Sequence, residues 1–191
     1  MKKHLLTILA MFAVTLASAC VFTGCKSDEQ KAAEAIAKEM IEARKAEKKR
    51  QEDAEKTRAW WNENVVPKIN EAAEIMRSGG SSFEANNYVN SIKNVTQIYI
   101  SNDLFACQNQ VVGASSPFAI ISEGYNPGTT GFESCEALMI AINTHALKEL
   151  DRAKESINPK TKQPWLTDEE HKKSVDYINN TMIPLFKNKK R

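Results

Sequence analysis

The chain is short of the residues that interrupt helices: it has seven glycines and six prolines in 191 residues, and none of either lies between Asp28 and Val66. It is equally short of reactive chemistry. Four cysteines occur, Cys20, Cys25, Cys107 and Cys135, and no Cys-x-x-Cys pair is among them, which excludes a thioredoxin-like redox centre. No Cys-x-x-Cys-His run exists for covalent haem. Of three histidines, only His145 and His171 lie beyond the N-terminal apolar stretch, and neither belongs to the paired Glu-x-x-His units of a di-iron bundle. No nucleophile motif of a known hydrolase class is present. Nor is charge of one sign concentrated enough for a nucleic-acid face, because 26 basic residues stand against 24 acidic ones. These absences predict no cofactor, no metal and no nucleic-acid partner.

What the chain has is a strongly marked start. Lys2 and Lys3 precede an apolar run from Leu5 to Phe22, followed by Thr23, Gly24 and Cys25 and then a charged segment. Over the residues up to Gln30, this start resembles the export signal of bacterial lipoproteins. The likeness rests on Val21, Phe22, Thr23, Gly24 and Cys25, and it departs from the usual pattern at Phe22, where leucine is commoner. The resemblance implies that residues 1–24 are removed as a signal peptide and that Cys25 becomes an acylated N-terminus. Each buried acyl methylene contributes about 0.8 kcal/mol, so two or more chains hold the protein on its membrane. Lys26 and Ser27 follow the cysteine in place of the aspartate that retains such proteins in the inner membrane, so the likeness favours the outer membrane.

Cysteine arithmetic bears on the processing. Lipid on Cys25 removes Cys20 with the signal and leaves Cys107 and Cys135 as an even pair, as expected in an oxidising envelope compartment. Lipid on Cys20 would leave Cys25 unpaired. Cleavage after Ala17, Ser18 and Ala19 would release a soluble protein with four cysteines, and an uncleaved apolar anchor remains a fourth route. Loss of residues 1–24 takes away two lysines and no acid, so the formal charge falls from +2 to zero. The one basic cluster is the C-terminal Lys187, Lys189, Lys190 and Arg191, which reads as a solvated tail over residues 187–191.

The rest divides into a tether, residues 25–59, and a head, residues 60–186. From Asp28 to Ala59 the sequence is almost entirely Ala, Glu, Lys, Arg and Gln, with only Ile36, Met40 and Ile41 as large apolar groups. These are strong helix formers, and Glu34 with Lys38 and Glu52 with Lys56 add favourable pairs one turn apart. A helix through Arg77 would reach roughly 75 Å at about 1.5 Å per residue, with Pro67 kinking or interrupting it. Few heptad anchors between Ala43 and Ala59 favour a solvated spacer over a coiled coil.

In the head, helical spacing predicts an all-α bundle. Trp60, Trp61, Val65, Val66, Ile69, Ala73 and Met76 form a first stripe before a break at Ser78 to Ser82. Tyr88, Ile92, Val95 and Tyr99, with Leu104, Cys107 and Val111, predict a second helix over 84–111, although the β-branched residues from Val95 to Ile100 also suit a strand. Cys135, Leu138, Met139, Ile142, Ala146, Leu150, Ala153 and Ile157 form a third. A fourth starts at a Thr167 and Glu170 capping box and carries Val175, Ile178, Met182 and Ile183 up to Pro184. Cys107 and Cys135 lie on apolar faces, which predicts a disulfide between the second and third.

Candidate functional residues are few. The connection 113–131 carries Phe118, Ile120, Ile121 and Tyr125, an unusual choice for a merely solvated loop, and long connections are often functional. These residues either pack over the bundle end or form a recognition surface. Trp60 and Trp61 are core residues or a second part of that surface. Glu123, Glu133, Glu136 and His145 are the polar cluster that a paired-carboxylate glycan hydrolase would use. The expectation is a non-enzymatic envelope lipoprotein whose head binds, scaffolds or inhibits an envelope protein or cell-wall component. The alternatives are a tethered glycan- or peptide-active hydrolase, favoured by a deep pocket with close carboxylates, and a small-ligand carrier, favoured by an enclosed apolar cavity.

Overall fold

The computed structural model describes residues 28–110 and 132–189, all helical in architecture, with a single isolated bridge between Ile157 and Pro164 as the only β pairing among them. The described residues divide into two units, one up to Gln51 and one from Glu52 onward. In the first, helix α1 (Asp28–Asn64) is exposed along nearly its whole surface up to Gln51, and ion pairs such as Arg50 with Glu47 at 2.8 Å lie along it. Local propensity holds this stretch, since it has almost nothing to bury.

The second unit takes up the last turns of α1 and adds α2 (Val66–Ser78), α3 (Ser82–Ser101), α4 (Leu104–Gln108), α5 (Cys135–Glu155), α6 (Asp168–Tyr177), one π-helical turn (Ile178–Met182) and α7 (Ile183–Lys187). The break between α1 and α2 falls at Val65, two residues before Pro67, whose ring and missing N–H interrupt the helical ladder. The second proline acts differently. The fourth predicted segment runs through Pro184 instead of stopping there, because Ile183 N–H reaches back five residues to Ile178 O and the widened turn accommodates the absent donor.

Two helix ends are closed in the same way. Gly80, at φ 83°, ends α2, with Gly80 N–H bonded to Arg77 O and Ser81 N–H to Met76 O. Asn102, at φ 51°, ends α3 with the equivalent bonds from Asn102 N–H to Tyr99 O and Asp103 N–H to Ile98 O. These paired bonds satisfy carbonyls that the helix leaves open, and the left-handed residue they require is most easily Gly or Asn. The single helix expected over 84–111 is therefore two. Asp103 then caps α4, accepting a 2.9 Å bond from Ala106 N–H.

Four antiparallel helices make the head. Gly79 and Gly80 turn α2 back into α3. The Tyr88–Asn143 hydrogen bond pairs α3 with α5, and the Cys107–Cys135 disulfide joins α4 to the start of α5. Asp151 with His171 at 2.7 Å and Lys154 with Asp168 at 3.0 Å pair α5 with α6. Tyr177 and Glu71, bonded at 2.6 Å, close α6 onto α2. Ile69, Met76, Ile92, Val95, Leu138, Met139, Ile142, Leu150, Ile178 and Met182 fill the interior. The predicted stripe of α5 holds except at its end: Ile157 lies beyond the helix, in the bridge, and is exposed.

Candidate functional site

One end of the bundle gathers Trp60, Trp61, Cys107 and Cys135, the described members of the binding and disulfide candidates that the sequence singles out. Here α2 and α5 begin and α3 and α7 end. Cys107 and Cys135 are bonded, both fully buried, with Cα atoms 5.3 Å apart across 28 residues of sequence. The link pins both ends of the connection that includes 113–131, and on a chain-entropy account it stabilises the head by about 3 to 4 kcal/mol. Phe118, Ile120, Ile121, Glu123 and Tyr125 lie outside the described residues, as do Cys25, Cys20, Lys190 and Arg191.

Trp60 and Trp61 belong to an aromatic cluster at this same end. Trp61 is buried against Tyr99 at 5.0 Å between ring centroids and Phe186 at 6.2 Å, and Tyr99 meets Phe186 edge-on at 5.7 Å. Trp61 thus serves the core, one of its two predicted roles. Trp60 is half-buried, stacked 6.3 Å from Tyr99, and its outer face carries Lys189 Nζ at 3.3 Å from the ring centroid. That cation–π contact ties part of the basic tail to the end of α1.

The surface that sequence reasoning missed is α4. Leu104, placed by spacing on the buried face, is 46% exposed, and the neighbouring Phe105 is 78% exposed. The reason is the break at Asn102, which resets the helical register so that only Cys107 of α4 points inward. The signal was present in Asn102 and Asp103, a left-handed cap residue followed by an N-cap residue. The turn is fixed at both ends, by the Asp103 cap and by the disulfide, and Cys135 Sγ lies 3.8 Å from Asp103 O.

Polar chemistry is dispersed. Glu136 and His145 lie nine residues apart on α5, which at about 1.5 Å and 100° per residue separates them by roughly 13 Å on opposite faces. Glu133 precedes α5 on the surface, and His145 faces Glu149 at 3.7 Å. His171 pairs with Asp151 on another helix and not with its neighbour Asp168. Among the described residues no group of three or more His, Cys, Asp or Glu is arranged to hold a metal ion. No helix among them is long and apolar enough to cross a membrane.

Three perturbed ionisable groups of the head serve its packing and helix ends. Burial pushes the Tyr88 hydroxyl far up, and its proton goes to Asn143 Oδ1 at 2.7 Å while Asn143 Nδ2 donates to Met139 O at 2.8 Å. This is a satisfied polar pair inside the bundle. Burial also raises Tyr177, and the Glu71 carboxylate that accepts its proton adds to the effect. Glu170 is held low by the Thr167 hydroxyl and backbone N–H of the capping box.

The chain matches no family model, no curated protein and no solved structure.

Proposed function

We propose that the protein is a bacterial envelope lipoprotein, held by acyl chains on Cys25, whose helical head works by capturing another envelope component without catalysis. The observation that carries the recognition half is the Leu104–Phe105 turn: two exposed apolar side chains on backbone fixed by a cap and a disulfide. Rigid presentation lowers the ordering cost that weakens most contacts made by loops. The sequence candidates Phe118, Ile120 and Tyr125 belong to the connection between Cys107 and Cys135, which the disulfide joins, and the proposal takes them with Phe105 and Trp60 as the points of contact. The localisation half rests on the resemblance at Val21 to Cys25 and is supported by a disulfide of the kind that persists in oxidising compartments. Lys26 and Ser27 favour the outer membrane. The partner is an envelope protein or a cell-wall component.

Two experiments test the two halves separately. Intact mass of the membrane-extracted protein, with and without reduction and alkylation, should show a diacyl or triacyl adduct on Cys25 and two thiols that appear only after reduction. An unmodified chain starting at Cys20 would overturn the tether. For recognition, a photo-crosslinking residue at position 105 should trap a discrete envelope partner in cells, and Phe118→Ser with Tyr125→Ser should reduce that product several-fold while the head stays folded. Undiminished capture would reject this surface.

A further inference from the structure

The opposite end of the bundle carries a second exposed surface, built on different residues. Residues 156–167 connect α5 to α6, and the stretch 156–165 is tightly organised. Ile157 and Pro164 form the bridge, Trp165 N–H donates to Ser156 O at 3.2 Å, and Asn158 N–H donates to Gln163 O at 2.8 Å. Lys162, at φ 57°, turns the tip and returns its N–H to Asn158 O at 2.8 Å, while Asn158 Oδ1 accepts from Lys160 N–H at 2.9 Å. Leu166 anchors the base in the core, leaving Trp165 45% and Ile157 55% exposed. Phe83, 71% exposed, opens α3 at the same end, three residues beyond Gly80, where an added Cβ would lie 3.6 Å from Trp165 O.

We propose that this loop is a docking surface for an anionic lipid bilayer. Charge and side-chain type select that occupant. From Ser156 to Leu166 the chain contains Lys160 and Lys162 and no acid, and neither lysine is in an ion pair among the described residues. The flanking Asp168 is held by Lys154 at 3.0 Å, and Glu155 and Glu169 are exposed on the adjoining helix ends. A half-exposed tryptophan and an exposed isoleucine on one loop, with two lysines toward its tip, match the layered chemistry of a membrane interface: apolar side chains reach the acyl boundary, the indole sits among headgroups, and the ammonium groups meet phosphates. The hydrogen-bonded backbone lowers the ordering penalty of the bound state to that of the side chains. This surface is separate from the Leu104–Phe105 end and does not require the acyl anchor.

The test uses full-length protein extracted from its membrane and vesicles carrying brominated acyl chains, made of phosphatidylcholine alone or mixed with phosphatidylglycerol. The readout is tryptophan quenching in the native protein minus that in Trp165→Phe, which isolates Trp165 from Trp60 and Trp61 whether or not acyl chains also hold the protein on the vesicle. Trp165 quenching should appear with phosphatidylglycerol, fall with added salt, and weaken about fivefold in partitioning with each of Lys160→Gln and Lys162→Gln. An unchanged thermal midpoint in each variant shows that the head remains intact. Equal quenching in native protein and Trp165→Phe would overturn the proposal. So would Trp165-dependent retention on purified cell-wall glycan without vesicle quenching, which would assign the loop to a sugar polymer.

Discussion

Residues 28–51 and the four-helix head are both helical, for opposite reasons. In the first, Ile36, Met40 and Ile41 are the only large apolar side chains, and the two isoleucines are more than half exposed, so little packing supports the backbone among the described residues. In the head, β-branched residues with poor intrinsic preference, such as Val95, Ile92 and Ile100, sit in helix because their side chains are buried. Propensity makes one region and burial the other. Substitutions that remove buried contacts should therefore be severe in the head, and those that alter propensity should act only locally in the charged segment.

The largest expected effect is Trp61→Ala. It removes a ring that contacts both Tyr99 and Phe186 in a site with little freedom to collapse, and should cost about 3 to 5 kcal/mol, read as a lower denaturant midpoint. A cost below 1 kcal/mol would mean that the end of α1 is dispensable to the head. Next comes the disulfide. Cys107→Ser with Cys135→Ser should cost about 3 to 4 kcal/mol, and reductant should destabilise the native protein but not the double variant.

Tyr88→Phe sharpens the comparison by leaving shape nearly intact while removing one donor. Asn143 Oδ1 would remain buried without its partner, at a cost of about 1 to 3 kcal/mol. The same pair sets an alkaline limit. Burial raises the Tyr88 and Tyr177 hydroxyls above their ordinary value of about 10, so the stability tied to the neutral forms is complete below that pH and is lost as pH rises beyond it. Equilibrium unfolding between pH 8 and 11 should show the decline, and Tyr88→Phe should make it shallower. Glu170 runs the other way: its lowered carboxyl favours the folded state above the ordinary carboxylate range and loses that contribution as pH falls.

Periodicity made the helices and the paired cysteines legible, because Leu138, Ile142 and Leu150 recur at the spacing that burial demands. Boundaries were harder. At Asn102 a single left-handed residue ends α3 with little change in the apolar pattern, so Leu104 reads as core and stands exposed. Pro184 reads as a stop, yet a π-turn carries the chain through it, because tertiary packing of Met182, Ile183 and Phe186 outweighs the lost hydrogen bond. Trp165 gave no periodic signal at all. Its exposure follows from the bridge between Ile157 and Pro164, a pairing made across a polar loop with no alternation to announce it.

The smallest effect is also the most discriminating. Ala43→Gly lies within the exposed stretch of α1 and should weaken helix there by about 1 kcal/mol, the difference in intrinsic preference between the two residues. Since nucleating a helix is unfavourable and extending it is not, the packed turns around Trp61 are the natural nucleus for the whole of α1. Fraying should then proceed from Asp28 inward. Amide hydrogen exchange should quicken in Ala43→Gly at residues before position 43 and stay unchanged from Trp60 onward, with no shift in the unfolding midpoint of the head. If the head were destabilised as well, the charged segment would be a packed part of the fold, and the division between a helix made by propensity and a bundle made by burial would fail.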